Sequence, residues 1–107
     1  MSDLLITTTD TIPGREIAHT IGLVKGSTVR AKHIGSDIVA SLRNLVGGEV
    51  KEYAALLTGA REQAIDRMLS EARMMGADAV VGMRLETSTI TQAASEVVAY
   101  GTAVKLA

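Results

Sequence analysis

A long apolar stripe in the second half of the chain constrains the fold more than any other feature of the sequence. An amphipathic helix from about Glu49 to Met75, ended by Gly76, accounts for the stripe, because its apolar residues recur at helical spacing. Such a helix is about 40 Å long, which exceeds the diameter of a small domain. We therefore expect either a break near Thr58 and Gly59 or a second subunit that covers part of the stripe. The stripe residues are Val50, Tyr53, Ala54, Leu57, Ala64, Ile65, Met68, Leu69, Ala72 and Met75.

The rest of the sequence predicts four strands and one further helix. Pro13-Gly14 and Gly47-Gly48 supply turn and stop signals between them. The predicted order is ββααββ, an α+β fold in which a mainly antiparallel sheet packs on the helices as a two-layer sandwich. The predicted elements are strands over Leu4–Thr9 and Glu16–Arg30, a helix from Ser36 to Val46, and strands over Ala79–Glu86 and Val97–Leu106, the last two joined by a loop from Thr87 to Ser95.

Composition limits the size, the core and the partners of this fold. The chain has 107 residues, which fits a single domain over residues 1–107. Aromatic residues make up 2% of it, with no Phe and no Trp, so the core must consist of aliphatic side chains and Met. The net charge of −1 favours neither nucleic acid nor an anionic membrane as a partner. The absence of Cys excludes disulfides and thiolate-ligated metals.

The sequence carries no targeting, membrane-spanning or catalytic motif. Its first residues lack the basic and apolar regions of a signal peptide, and charged residues interrupt every long apolar segment. We therefore expect a cytoplasmic protein. The spacings of nucleophilic, zinc-hydrolase and phosphate-loop motifs are also missing, so we expect no enzymatic activity.

In a chain without Cys, the histidine and methionine side chains are the remaining candidate ligands for a heavy metal. In the predicted strand, His19 lies on the same face as Ile17 and Ile21, which indicates a packed side chain. Met68 and Met75 lie on the helix stripe, where Met fills gaps in a core without large rings. The pattern therefore favours packing over a copper site built from methionines.

The segment from Arg30 to Asp37 is the candidate ligand-binding region. It joins a strand to a helix, so some of its backbone N–H groups are available to a ligand, and it concentrates positive charge. Repeated around a ring of subunits, this charge would favour a small anion. His33 is the candidate metal ligand, and a divalent ion would need further ligands from more than one subunit. The candidate residues are Arg30, Lys32, His33 and Asp37.

A structural role for the same segment is an open alternative. In that case Arg30 or Arg43 pairs with a carboxylate such as Asp37 or Glu49 across a subunit boundary. The basic residues would then hold copies of the chain together and bind no ligand.

Motifs along the whole chain resemble those of the YbjQ-like family. They are Thr7-Thr8-Thr9 with Ile12-Pro13-Gly14, the run Gly22–Arg30, Ile34-Gly35, Leu42–Glu49, Ala60-Arg61-Glu62 with Arg67-Met68, Gly76–Gly82 and Ala99–Val104. The resemblance implies a fold like the dodecin subunit, a ring-shaped homo-oligomer that is pentameric, and a domain of uncharacterised function described as heavy-metal-binding. The sequence departs from the family at His33, where Asn is frequent, and at Ala93, where Gly is usual.

Three functional hypotheses follow from the residues and the resemblance together, and an enzyme ranks third among them. In the first, the chain is a ring-forming binding module for a metal ion or a small anionic ligand, held at subunit junctions or in the central opening. In the second, it is a structural or interaction scaffold with no small ligand. The first two include self-association, and neither includes a membrane or nucleic acid as a partner.

Overall fold

A computed structural model describes residues 4–31, 51–91 and 94–107, which form a four-stranded sheet with one helix packed against it. The strand order is β1-β3-β4-β2, with β1 parallel to β3 and the other two pairings antiparallel. The α+β fold with a mainly antiparallel sheet is therefore confirmed, whereas the predicted helix from Ser36 to Val46 lies outside the described residues. The elements are β1 (Leu5–Ile6), β2 (Ile17–Ala31), α1 (Lys51–Met74), β3 (Ala79–Thr91) and β4 (Ala94–Leu106).

Helix α1 runs without a break through Thr58 and Gly59. Its 24 residues correspond to a length of about 36 Å. The break near Gly59, which was one of the two alternatives predicted from the sequence, does not occur. One glycine inside a helix lowers its stability but does not end it.

The helix ends at the predicted stop. The Gly76 N–H donates to the Arg73 carbonyl at 3.0 Å and the Ala77 N–H to the Ala72 carbonyl at 3.1 Å, while Gly76 has a φ of 77°. This is the Schellman arrangement, in which a left-handed residue lets the chain return to the last carbonyls. The turn carries Met75 away from the sheet, so its predicted burial is wrong and 41% of it is exposed.

Small residues bring α1 very close to the sheet. Ala60, Ala64, Met68 and Ala72 follow one another at four-residue intervals and are fully buried. Beneath them, a Cβ atom on Gly26 would overlap the backbone of α1. The core thus consists of aliphatic side chains and Met, as expected from the aromatic-poor composition, and α1 approaches the backbone of β2 at Gly26.

Strand β2 contains two bulges that the simple alternation of the sequence does not reveal. Ile17 faces Leu106 while His19 faces Lys105, and a second register shift falls between Thr20 and Gly22. Each bulge places two residues of β2 opposite one of β4 and reverses the side-chain alternation. The predicted apolar face that included His19 is therefore wrong, and His19 is exposed.

Strands β3 and β4 are longer than predicted. Their pairing continues to Thr89 opposite Ser95 and Thr91 opposite Ala94. The predicted loop from Thr87 to Ser95 is therefore wrong. The segment contains no Gly, Pro or Asn, and its β-branched residues tolerate an extended ladder even though they are polar.

The two faces of the sheet differ in what covers them. Helix α1 packs on β2 and β4 over one face, where Val24 and Thr28 are buried. On the other face, Ile12 packs against a small cluster at the end nearest Ala79. Among the described residues, no helix lies over the remainder, which we call the open face. The open face consists of Leu23, Lys25, Ser27 and Val29 of β2, Glu96, Val98, Tyr100 and Thr102 of β4, and Arg84, Glu86 and Ser88 of β3.

The segment between β1 and β2 pairs with the start of β3. The Thr7 N–H donates to the Val80 carbonyl at 2.9 Å, and the Gly82 N–H donates to the Thr9 carbonyl at 2.8 Å. The Met83 N–H donates to the Thr7 carbonyl at 3.0 Å. Beyond Met83, the outer edge of β3 has no described strand beside it, and β2 forms the opposite edge of the sheet.

Candidate functional site

Of the predicted binding residues, the structure describes Arg30. Lys32, His33 and Asp37 lie outside the described residues, as do Arg43 and Glu49 of the alternative interpretation. The geometry of the candidate site therefore rests on Arg30 and its neighbours.

Arg30 lies near the end of β2 on the face that α1 covers. It faces Ser95 of β4 and shares its side of the strand with Thr28 and Gly26. Its Nη2 atom donates a hydrogen bond to Gln63 Oε1 of α1 at 3.0 Å. The helix therefore positions the guanidinium through an uncharged amide.

Two polar atoms beside this contact are buried and unpaired. Arg30 Nε and Thr28 Oγ1 make no hydrogen bond with any described residue. Thr28 is 2% exposed, and it lies two residues from Arg30 on the same side of β2. A buried N–H or hydroxyl without a partner is destabilising, and such groups in folded proteins usually have an acceptor, a water or an ion. Residues 28 and 30 thus place two unpaired donor groups on the same side of β2.

The sequence indicated Arg30 as a candidate ligand-binding residue but did not indicate Thr28 or Gln63. Alternation along β2 was the signal for Thr28, because residues two apart share a face. This alternation did not distinguish Thr28, because serine and threonine are frequent along the chain. Gln63 had no signal, since its role depends on how α1 crosses β2.

A second arginine fixes that crossing. Arg67 Nη1 donates to the Ser27 carbonyl at 2.6 Å, from the same flank of α1 that carries Gln63. The contact occupies a backbone acceptor of the edge strand β2. Arg67 therefore acts as a clamp between the layers, close to the candidate site.

Two hydroxyls of the threonine run near the start of the chain, those of Thr7 and Thr9, are used in local hydrogen bonds. Thr7 Oγ1 and Thr9 Oγ1 are hydrogen-bonded to each other at 2.7 Å, and Thr9 Oγ1 donates to the Thr11 carbonyl at 2.6 Å. These bonds shape the turn that leads into β2. The motif therefore has a structural explanation.

The described residues do not fit a heavy-metal site. Within residues 4–31, 51–91 and 94–107, no group of three or more His, Asp or Glu side chains is placed to hold a metal ion. His19 is exposed and faces the cationic Lys105, and the chain has no Cys. Met68 is fully buried whereas Met74 is 89% exposed, so these two methionines do not share a site.

Comparison with known proteins decides the family. The sequence pattern of the YbjQ family matches residues 4–107 of the chain. The description of that family is "Putative heavy-metal-binding". The chain belongs to the YbjQ-like family. The resemblance of its motifs is therefore confirmed, although the family's description does not identify ligands among the residues above.

Close relatives of this family member occur in distant organisms. A UPF0145 protein of Halobacterium salinarum is 58% identical over 100 residues, covering 94% of this chain and 96% of the relative. A UPF0145 protein of Archaeoglobus fulgidus is 54% identical over 104 residues, covering 97% and 96%. The match therefore extends over essentially the whole of each relative.

A solved structure shares the fold. It is a protein of unknown function of the DUF74 family from Pediococcus pentosaceus, with a TM-score of 0.67 and 16% identity. The alignment covers 97% of this chain and 98% of that one. In the described part of our chain, no helix has the length and apolar character needed to cross a membrane.

Proposed function

We propose that the protein is a ring-shaped, pentameric binding module that holds a small anion at Arg30. The observation that carries this proposal is the buried Nε of Arg30, which has no acceptor among the described residues. Gln63 fixes the guanidinium without neutralising it. An oxyanion such as phosphate would accept from Arg30 Nε and from the Thr28 hydroxyl, and would remove the penalty of two unpaired buried groups.

Donor chemistry favours the anion over a metal. Guanidinium N–H groups donate hydrogen bonds and do not ligate metals. The heavy-metal description of the family supports a metal ion as a second candidate. Its ligands would have to include His33 and Asp37, with others from neighbouring copies. Zinc titration of the wild type and of His33→Ala tests it, and equal weak binding by both removes His33 from consideration.

Two features of the sheet support assembly into a ring. The outer edge of β2 and the part of β3 beyond Met83 have no described strand beside them. Pairing the first edge of one copy with the second edge of the next is a head-to-tail contact, which generates a ring when the rotation between copies closes. Leu85, which lies in this unpaired part of β3, is 38% exposed.

Sedimentation equilibrium at micromolar concentration tests the assembly. Leu85→Glu should lower the mass toward that of the monomer, because it introduces a charge at the contact between copies. Ser70→Glu is the control, since Ser70 is an exposed polar residue of α1 and lies on neither edge of the sheet. A monodisperse wild-type monomer would contradict the ring.

Calorimetric titration with inorganic phosphate at low and moderate salt tests the site. Arg30→Gln should lose binding because it removes the guanidinium charge, and Arg30→Lys should weaken binding because lysine has no N–H group at the position of Nε. Arg73→Gln removes an exposed arginine from the last turn of α1 and should bind as the wild type does. A wild-type ring without measurable anion binding would favour the scaffold, with Arg30 paired to a carboxylate of another copy.

A further inference from the structure

The open face carries an aromatic side chain between two cations. Tyr100 of β4 lies directly opposite Lys25 of β2 on one side and Arg84 of β3 on the other. Side chains directly opposite one another in an antiparallel pair share a face, with their Cβ atoms about 5 Å apart. Lys25 and Arg84 are exposed and Tyr100 is half-buried. The row Lys25-Tyr100-Arg84 is therefore accessible within the described structure.

Neither cation of this row is neutralised by a carboxylate of the described residues, where the one ion pair within 4.0 Å joins Lys105 and Asp78. Arg84 Nη1 instead donates to the Thr8 carbonyl at 2.8 Å and to the Met83 carbonyl at 2.9 Å. These bonds hold the guanidinium in place and leave its charge unpaired.

We propose that this row binds a nucleoside monophosphate. The base stacks on Tyr100, and the phosphate oxygens accept hydrogen bonds from the Lys25 ammonium and from the free N–H groups of Arg84. Aromatic stacking beside fixed cations is the combination by which open sheet surfaces bind nucleotides. The row lies on the opposite face of the sheet from Arg30, so this inference does not depend on the Arg30 site or on the ring.

The acidic residues of the open face determine the orientation of the bound ligand. Glu86 lies one row away, beside Val98, and Glu96 lies one row further. Both rows are on the side of Tyr100 away from the segment between β1 and β2. Repulsion from these carboxylates directs the phosphate toward Lys25 and Arg84. The open face therefore favours a single small anion over a polyanion lying along the strands.

Calorimetric titration with AMP, adenosine and inorganic phosphate separates the two parts of this site. In the Arg30→Gln background, which lacks the phosphate site proposed above, the protein should bind AMP more tightly than either fragment. Tyr100→Leu should weaken AMP binding about 10-fold by removing the stack, and Tyr100→Phe should retain it. Lys25→Gln should weaken it several-fold at low salt and by less at higher salt, because salt screens exposed charges.

Two controls make the outcome decisive. Lys105→Gln removes an exposed cation from the other side of β4 and should leave AMP binding unchanged. Arg30→Gln should do the same, so failure at one site does not imply failure at the other. If Tyr100→Leu does not fold, Lys25→Gln against Lys105→Gln carries the test. Absence of AMP binding, equal affinity for AMP and phosphate, or a changed sedimentation mass in Tyr100→Leu with AMP affinity retained would overturn the proposal.

Discussion

Gly26 of β2 lies directly beneath Met68 of α1, and a Cβ atom on Gly26 would overlap the Met68 backbone nitrogen and stand 2.8 Å from the Arg67 carbonyl carbon. No side chain separates the two layers at this point. The contact therefore sets the height at which α1 passes over β2, and with it the position from which Gln63 reaches Arg30.

Gly26→Ala should destabilise the fold by about 1–3 kcal/mol, because the added methyl group meets helix backbone that cannot move aside. Urea denaturation measures the change. Gly59→Ala is the matched control, since its Cβ would meet nothing within 4 Å and alanine is the better helix former. It should stabilise the protein by roughly 0.5–1 kcal/mol. Equal effects of the two substitutions would contradict the observed packing.

Met68→Ala should lower the free energy of unfolding by about 2–5 kcal/mol, because Met68 is fully buried and its removal leaves a cavity. The comparison is Met74→Ala, at an 89% exposed position on the same helix. That change should stay within about 0.5 kcal/mol. Thermal and urea unfolding of both variants measure the two changes. A larger loss of stability in Met74→Ala than in Met68→Ala would contradict the assignment of the buried helix face.

Gly76→Ala should destabilise by about 1–2 kcal/mol, because an L-residue is strained at the left-handed φ of 77° while the space around it is empty. Gly76→Asn should cost less, since Asn tolerates this region better than Ala. Chemical denaturation gives the order. An Ala variant as stable as the wild type would mean that the helix ends differently.

Thr28→Val should stabilise the ligand-free protein by about 1–3 kcal/mol, because it replaces an unpaired buried hydroxyl with a methyl group. The same variant should bind phosphate more weakly if the hydroxyl donates to the ligand. Thr20→Val, at an exposed position of β2, is the control and should change neither quantity much. A destabilised Thr28→Val would show that the hydroxyl has a partner in the free protein.

The elements governed by local signals could be predicted from the sequence. The end of the helix at Gly76 could be predicted, because a glycine after an apolar helix stripe supplies the left-handed residue of the C-terminal cap. The buried positions of Ala64, Met68 and Ala72 were readable from their spacing. Ala60 was missed because it stands between Gly59 and Arg61, where the apolar stripe is interrupted.

The features that depend on contacts distant in sequence could not be predicted. The bulges in β2 arise from its register with β4, so the face on which His19 lies was misassigned. The extension of β3 and β4 through a polar segment depends on cross-strand pairing and not on composition. At the candidate site, the charge of Arg30 was visible in the sequence, but its amide partner Gln63 lies 33 positions away.

Native mass spectrometry of the purified protein, with and without added phosphate, tests the central claim most directly. The proposal predicts a closed pentameric species that gains mass in steps of one phosphate, and an Arg30→Gln ring of the same size that gains none. Phosphate at 100 times its dissociation constant should also stabilise the wild type by about 2.7 kcal/mol. A monomer, or a ring whose mass and stability do not respond to phosphate, would contradict it.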